Sequence, residues 1–112
     1  MEHKKRFETE AIRTQTARTG YSEHSTPLFL TSSFIFDDAE DMRASFAEEK
    51  DKNLYSRFSN PNTTELVNKL VKMEKAESGY AFATGMAAIY STFAALLSAG
   101  DHIVSVRSIF GS

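Results

Sequence analysis

The most regular hydrophobic pattern lies in the second half of the chain. Leu66, Leu70 and Met73 recur at helical spacing, with lysines on the opposite face. Asn62 or Thr63 stands just before this period and has a side chain suited to capping. The pattern therefore predicts a helix that begins at one of these two residues and runs to about residue 76.

A second unit follows with shorter periods. Residues 80–83 are apolar and residues 102–106 are rich in β-branched side chains, so both are predicted to be strands. Between them, apolar positions at helical spacing predict a helix from Met86 to Ser98, and Gly100 is expected to stop it. The order strand, helix, strand with short connections predicts a βαβ unit, which implies a parallel sheet.

The first 61 residues lack sustained periodicity. Short helices are predicted at about residues 9–19 and from the Asp37–Asp38 pair to about residue 50. Residues 28–36 are apolar and aromatic but do not alternate cleanly, which is compatible with an extended segment. We therefore divide the chain into residues 1–61 and an α/β part at residues 62–112.

A lone βαβ unit leaves most of its apolar surface uncovered, because parallel sheets need several strands and helices on both faces. The chain also ends at Ser112, directly after a predicted strand. We therefore expect the sequence to be truncated, the alternative being a small complete domain of unusual design.

Composition excludes several functional classes. The 112 residues are 41% hydrophobic and 25% charged, an ordinary globular mixture, and the net charge of −2 gives no reason to expect nucleic-acid binding. The absence of cysteine excludes disulfides and thiolate metal sites, and the three histidines show no metal-ligand spacing. With no signal peptide or membrane-spanning run, we expect a soluble cytoplasmic protein without a bound metal.

Two segments have the chemistry of phosphate binding. Gly85 lies where a predicted strand turns into a helix, and a helix N-terminus offers unpaired amides and partial positive charge to an anion. Tyr55 and Arg57, two residues apart in an extended loop, point the same way and offer a phenol and a guanidinium. Taken singly, a turn that binds nothing and an ordinary surface Arg remain the better interpretations. Phe110 could cover a planar ligand or simply fill a core.

Taken together, these motifs are far more specific. They are Tyr-Ser-Arg at 55–57, Asn-Pro at 60–61, Thr-Gly-Met-Ala-Ala at 84–88, Ala-Gly-Asp-His-Ile-Val at 99–104 and Phe-Gly-Ser at 110–112. In this order the chain resembles the Cys/Met-metabolism family of pyridoxal 5'-phosphate (PLP) enzymes. The resemblance implies the α/β fold of the aspartate-aminotransferase type, fold type I. It also implies an N-terminal arm that embraces a neighbouring subunit, in a dimer that shares its active sites and assembles into a tetramer.

The resemblance assigns cofactor roles to five residues. Tyr55 and Arg57 match the loop that holds the phosphate of the partner subunit's PLP. Gly85 and Met86 match the backbone donors to the phosphate in their own subunit, and Phe110 matches the aromatic residue that stacks on the pyridine ring. Most members have Tyr at that last position, so a phenol acid–base role is lost here. The Phe-Gly-Ser string is similar to the O-succinylhomoserine sulfhydrylase branch.

The resemblance implies a transferase that replaces the γ-acyloxy group of an O-acylhomoserine with sulfur. Sulfide would give homocysteine for methionine biosynthesis, and cysteine would give cystathionine, as in cystathionine γ-synthase. A γ- or β-lyase of the family and a non-catalytic phosphate-binding or oligomerisation fragment remain alternatives. In the family the Schiff-base lysine, the acid at the pyridine nitrogen and the carboxylate-binding arginine all lie beyond position 112. The chain alone is therefore expected to be inactive, with no catalytic residue of its own.

Overall fold

The computed structural model describes residues 6–110, which contain four α-helices. They are α1 (Phe7–Arg13), α2 (Ala39–Phe46), α3 (Pro61–Glu74) and α4 (Gly85–Leu96). The residues up to Ala81 form one compact unit, and those from Phe82 onward form a second. None of the four helices combines the length and apolar character needed to cross a bilayer.

The helix starts of the first unit are set by polar caps. The Asp38 side chain accepts a hydrogen bond from the amide of Asp41 at 2.7 Å, as expected for the start of α2. At α3 the predicted cap was wrong, because Asn60 rather than Asn62 or Thr63 takes this position. Pro61 explains the shift: it favours the first helical position, where its missing N–H costs nothing, and so moves the cap one residue before it.

The predicted first helix exists, but it ends at Arg13 and is shorter than expected. It packs against α3. The chain after it is irregular and is attached to α3 by side chains. Glu65 accepts hydrogen bonds from the Thr26 hydroxyl and from the Thr16 amide, the latter at 3.4 Å. Asn62 accepts from the Phe29 amide at 2.8 Å. Polar contacts, rather than apolar burial, thus hold this arm on α3.

Residues 28–36 are predicted to be compatible with an extended segment. Within residues 6–110 their backbone forms a β-bridge at one point. Ser33 and Tyr55 form an isolated antiparallel bridge. The Ser56 amide donates to the Ser32 carbonyl at 2.8 Å, and the Phe34 amide donates to that of residue 54 at 3.3 Å. This short pairing fixes where the 55–57 loop begins.

In the second unit, the predicted helix is confirmed as α4, and Gly100 lies in a turn beyond it with a φ of +103°. The two predicted strands are not confirmed. Residues 80–83 and 102–106, both within the described part of the chain, form no strand. A strand is defined by hydrogen bonds to a neighbouring strand. Neither segment has such a neighbour among residues 6–110, so the βαβ unit is not confirmed.

Candidate functional site

Tyr55 and Arg57 lie in a tight turn of the first unit. The Tyr55 carbonyl accepts hydrogen bonds from the amides of Phe58 at 2.8 Å and Ser59 at 3.1 Å, which closes the turn. The Ser56 hydroxyl donates to the Thr31 carbonyl and ties the turn to the paired segment. The loop is therefore irregular but held by hydrogen bonds on both sides.

The structure brings Arg57 against Tyr55. The guanidinium carbon lies 5.3 Å from the ring centroid of Tyr55 and 5.3 Å from that of Phe58. Both distances fall in the range of cation–π contacts. Among residues 6–110, no carboxylate lies within ion-pair distance of Arg57. An exposed guanidinium held by aromatic rings and not neutralised by an acid suits an anionic ligand.

Arg57 lines two cavities of different character. One, of about 470 Å³, is mainly aromatic and includes Phe34, Phe36 and Phe58. The other, of about 510 Å³, is lined by hydroxyl-bearing residues that include Ser59. Arg57 therefore lies between an aromatic cavity and one that carries several hydroxyl groups.

Asn60 anchors the end of the loop, a role that was not predicted. Its side-chain oxygen caps α3 by accepting from the Asn62 amide at 3.0 Å. Its side-chain nitrogen donates to the Phe29 carbonyl at 3.0 Å and to the Ser56 hydroxyl at 3.1 Å. With 9% exposure, Asn60 is one of the most buried residues described. An Asn directly before Pro at a helix start is a capping signal that was available in the sequence.

An ion-pair cluster lies before the loop. Asp41 of α2 accepts from Lys50 at 2.9 Å and from Lys52 at 2.5 Å, one ammonium at each carboxylate oxygen. Hydrogen bonds from Lys52 and, next, Lys50 hold the pKa of the Asp41 carboxyl well below its usual range. Sequence reasoning missed this cluster, because nothing in the local pattern connects an aspartate in a helix to lysines nine and eleven residues later.

The second unit supplies a helix N-terminus. The Thr84 hydroxyl accepts from the Ala87 amide at 3.1 Å, so Thr84, Gly85 and Met86 begin α4 as predicted. In the described chain the amides of Gly85 and Met86 have no hydrogen-bond partner, because the first amides of an α-helix have no carbonyl group one turn before them. A Cβ built on Gly85 would meet no heavy atom within 4 Å, so the space beside it is open. Two free amides at the positive end of a 12-residue helix fit a phosphate group.

Phe110 also belongs to the second unit. It is 97% exposed and lies outside any helix or strand, and Gly111 and Ser112 of its motif lie outside the described residues. The structure thus forms two separate groups: Tyr55 with Arg57 in the first unit, and the α4 amides in the second.

Comparison with known proteins identifies the same family. The profile of the family described as "Cys/Met metabolism PLP-dependent enzyme" matches residues 8–112. The chain is 42% identical over 106 residues to the O-succinylhomoserine sulfhydrylase of Pseudomonas aeruginosa, covering 95% of this chain and 26% of that protein. It is 42% identical over 103 residues to an L-methionine gamma-lyase of Fusobacterium nucleatum, covering 92% and 26%. The O-succinylhomoserine sulfhydrylase of Mycobacterium tuberculosis is 38% identical over 104 residues, covering 93% and 26%. The chain therefore spans about a quarter of the length of these relatives.

Proposed function

The chain belongs to the Cys/Met-metabolism family of PLP-dependent enzymes, whose fold is type I, and from this membership we propose that it is the N-terminal part of a γ-replacement transferase. The substrate is an O-acylhomoserine, with O-succinylhomoserine as the leading candidate. Sulfide bonds to the γ-carbon, the carbon–oxygen bond to the acyloxy group breaks, and homocysteine and succinate are released. Two of the relatives carry the name of this activity at 42% and 38% identity.

The structural observation that supports a PLP phosphate site in this chain is the state of Arg57. Its guanidinium is held against two aromatic rings at 5.3 Å and has no carboxylate partner in the described chain. An arginine kept for internal ion pairing would have an acid beside it. An arginine positioned for an incoming phosphate would look like the one observed.

Each candidate residue has a defined task toward PLP. Arg57 and Tyr55 would donate hydrogen bonds to the phosphate of a partner subunit's cofactor, and the Gly85 and Met86 amides would donate to the phosphate in their own subunit. Phe110 would cover the pyridine ring. PLP, when bound, supplies the electron sink that labilises the γ-substituent. The lysine that binds it, the acid at its ring nitrogen and the arginine for the substrate carboxylate are expected in the remainder of the protein.

The exposed apolar surface supports an oligomer and a larger domain. Ala44 is the one buried hydrophobic residue among residues 6–110. Helix α4 is apolar on most of its surface, yet Met86 and Leu96 are 70% and 75% exposed. A helix that is hydrophobic on all sides belongs in an interior. The rest of the protein and the second subunit of a dimer, itself part of a cytoplasmic tetramer, are proposed to cover these side chains.

A lyase of the same family is the second candidate. The relative from Fusobacterium nucleatum is named an L-methionine gamma-lyase and is also 42% identical. Phe110 argues against this activity, because a phenyl ring cannot donate or accept a proton as a phenol can. Full-length protein that forms homocysteine from O-succinylhomoserine and sulfide, but does not cleave methionine, would decide for the transferase.

Arg57→Ala in the full-length protein tests the site. A hydrogen bond to a charged group contributes about 1.5–3 kcal/mol, so PLP should bind about ten- to a hundredfold more weakly. Arg57→Lys should restore only part of the affinity, because an ammonium lacks the guanidinium fork. Arg13→Ala, which removes an exposed guanidinium from α1, is the control and should bind PLP normally. Unchanged PLP affinity in Arg57→Ala would end the assignment.

Mixed subunits test whether the site is shared. Arg57→Ala subunits are combined with subunits that lack the Schiff-base lysine. In one of the two hybrid sites an intact lysine then faces an intact loop, so activity should exceed that of either parent. Hybrids no more active than their parents would show that the loop serves its own subunit.

A further inference from the structure

We propose that Asp41 is the positioning residue of the 55–57 loop: by holding Lys50 and Lys52 it fixes the chain that enters the loop and so sets the affinity of Arg57 for a phosphate. This inference rests on the proposed phosphate role of Arg57. It adds a residue on α2 that touches neither the cofactor nor the loop itself.

Asp41 is built into α2 as a fixed point. Its side chain is only 8% exposed, although it is charged. Its own amide is capped by Asp38, its carbonyl accepts from the Ser45 hydroxyl at 2.6 Å, and its carboxylate accepts from the Asp37 amide at 3.2 Å. These hydrogen bonds restrict the Asp41 carboxylate to one position, and this position in turn restricts the ammonium groups of Lys50 and Lys52.

The two lysines attach the following segment to this point. Lys50 and Lys52 are two residues apart, so their side chains leave an extended chain on the same side and reach one carboxylate. Lys52 Nζ also lies 5.3 Å from the ring centroid of Phe36, which fixes it further. Only two residues separate Lys52 from Tyr55. The path from Asp41 to the turn is therefore short and fixed at both ends.

The neighbouring ion pair is weaker. Arg43 pairs with Glu49 at 2.7 Å, but both side chains are more than half exposed. Exposed pairs of this kind contribute little. In the Asp41 cluster the carboxylate is 8% exposed and Lys52 is 32% exposed, so this pair is more shielded from water, whereas Lys50 is 56% exposed. Loss of Asp41 would leave Lys50 and Lys52 without their shared anion, and Asp37, at 4.0 Å from Lys52, would be a more distant and exposed replacement. Asp41 is thus the tie whose removal should disturb the loop.

The test compares PLP with pyridoxal, which lacks the phosphate, in the full-length protein. Asp41→Asn should weaken PLP binding about three- to tenfold, in the lower part of the range of couplings within one hydrogen-bond or ion-pair network, and leave pyridoxal binding unchanged. Lys52→Met should act in the same direction. Asp51→Asn is the matched control, since Asp51 is an exposed acid between the two lysines. An equal loss of PLP and pyridoxal affinity would overturn the proposal, because it would indicate a general loss of structure.

A double variant separates this inference from the proposed function. In the Arg57→Ala background, Asp41→Asn should have no further effect on PLP affinity if it acts through Arg57. If Arg57→Ala alone binds PLP normally, the phosphate role itself is wrong. If Arg57→Ala weakens binding while Asp41→Asn and Lys52→Met do not, only the positioning role is wrong. Circular dichroism checks the fold, and Lys52→Met decides the case should Asp41→Asn fail to fold.

Discussion

Replacing Asn60 by alanine should open the start of α3 and the end of the 55–57 loop together. One buried side chain connects the two: its oxygen caps α3, and its nitrogen holds the carbonyl of Phe29 and the hydroxyl of Ser56. The Asn60→Ala variant removes all three hydrogen bonds and leaves the backbone unchanged. The effect should therefore appear at sites that are distant in sequence.

The contacts set the size of the effect. Loss of an N-cap costs about 1 kcal/mol, and each neutral hydrogen bond contributes about 0.5–1.5 kcal/mol. Because Asn60 is buried, the groups left behind cannot all recover their bonds from water. Local opening should therefore become easier by about 2–4 kcal/mol, which is about 30- to 800-fold in the opening equilibrium.

Hydrogen exchange of the full-length protein, read by mass spectrometry on the peptide covering residues 58–66, measures this opening directly. Asn60→Asp is the matched variant: it keeps the capping oxygen and adds a charge favoured at a helix N-terminus, but loses both donor bonds. Its exchange should fall between wild type and Asn60→Ala. Exchange in Asn60→Ala within about threefold of wild type would refute the reasoning, since it would mean that these bonds hold nothing in place.

Two further predictions concern α4 and the arm. Thr84→Val removes the hydroxyl that caps the Ala87 amide without changing the side-chain shape, so hydrogen exchange in the first turn of α4 should rise about fivefold, for a loss of about 1 kcal/mol. Thr84→Ser keeps the hydroxyl and should exchange at the wild-type rate. Wild-type exchange in Thr84→Val would show that the cap contributes nothing. Hydrogen bonds from Lys69 and then Thr26 lower the pKa of Glu65 in the folded chain, so this stabilisation is complete above the unfolded pKa of about 4.3 and is lost as the pH falls through the lowered value. Hydrogen exchange of residues 16–29, corrected for intrinsic rates, should accelerate below about pH 4 in the wild type. In Glu65→Gln the same residues should exchange faster at every pH. Equal protection of these residues in both proteins would contradict the role of Glu65.

The sequence alone determined the features that depend on near neighbours. The apolar periods of α3 and α4, the cap at Asp38 and the helix start at Thr84 were all correct, because helices and their caps form among residues within four positions of one another. The helix start at Gly85 followed from the same local geometry. The family could also be recognised from the sequence, because the order and spacing of its motifs do not depend on the fold.

The tertiary structure decided everything that joins distant positions. Asp41 meets Lys52 eleven residues later, and Asn60 meets the Phe29 carbonyl across 31 positions. The sequence placed Tyr55 and Arg57 in one loop, but only the fold showed the guanidinium packed on aromatic rings with no acid beside it. The predicted strands are not confirmed, because strand pairing also joins distant positions. A strand needs a partner brought from elsewhere, and no periodicity within residues 80–83 or 102–106 can supply one.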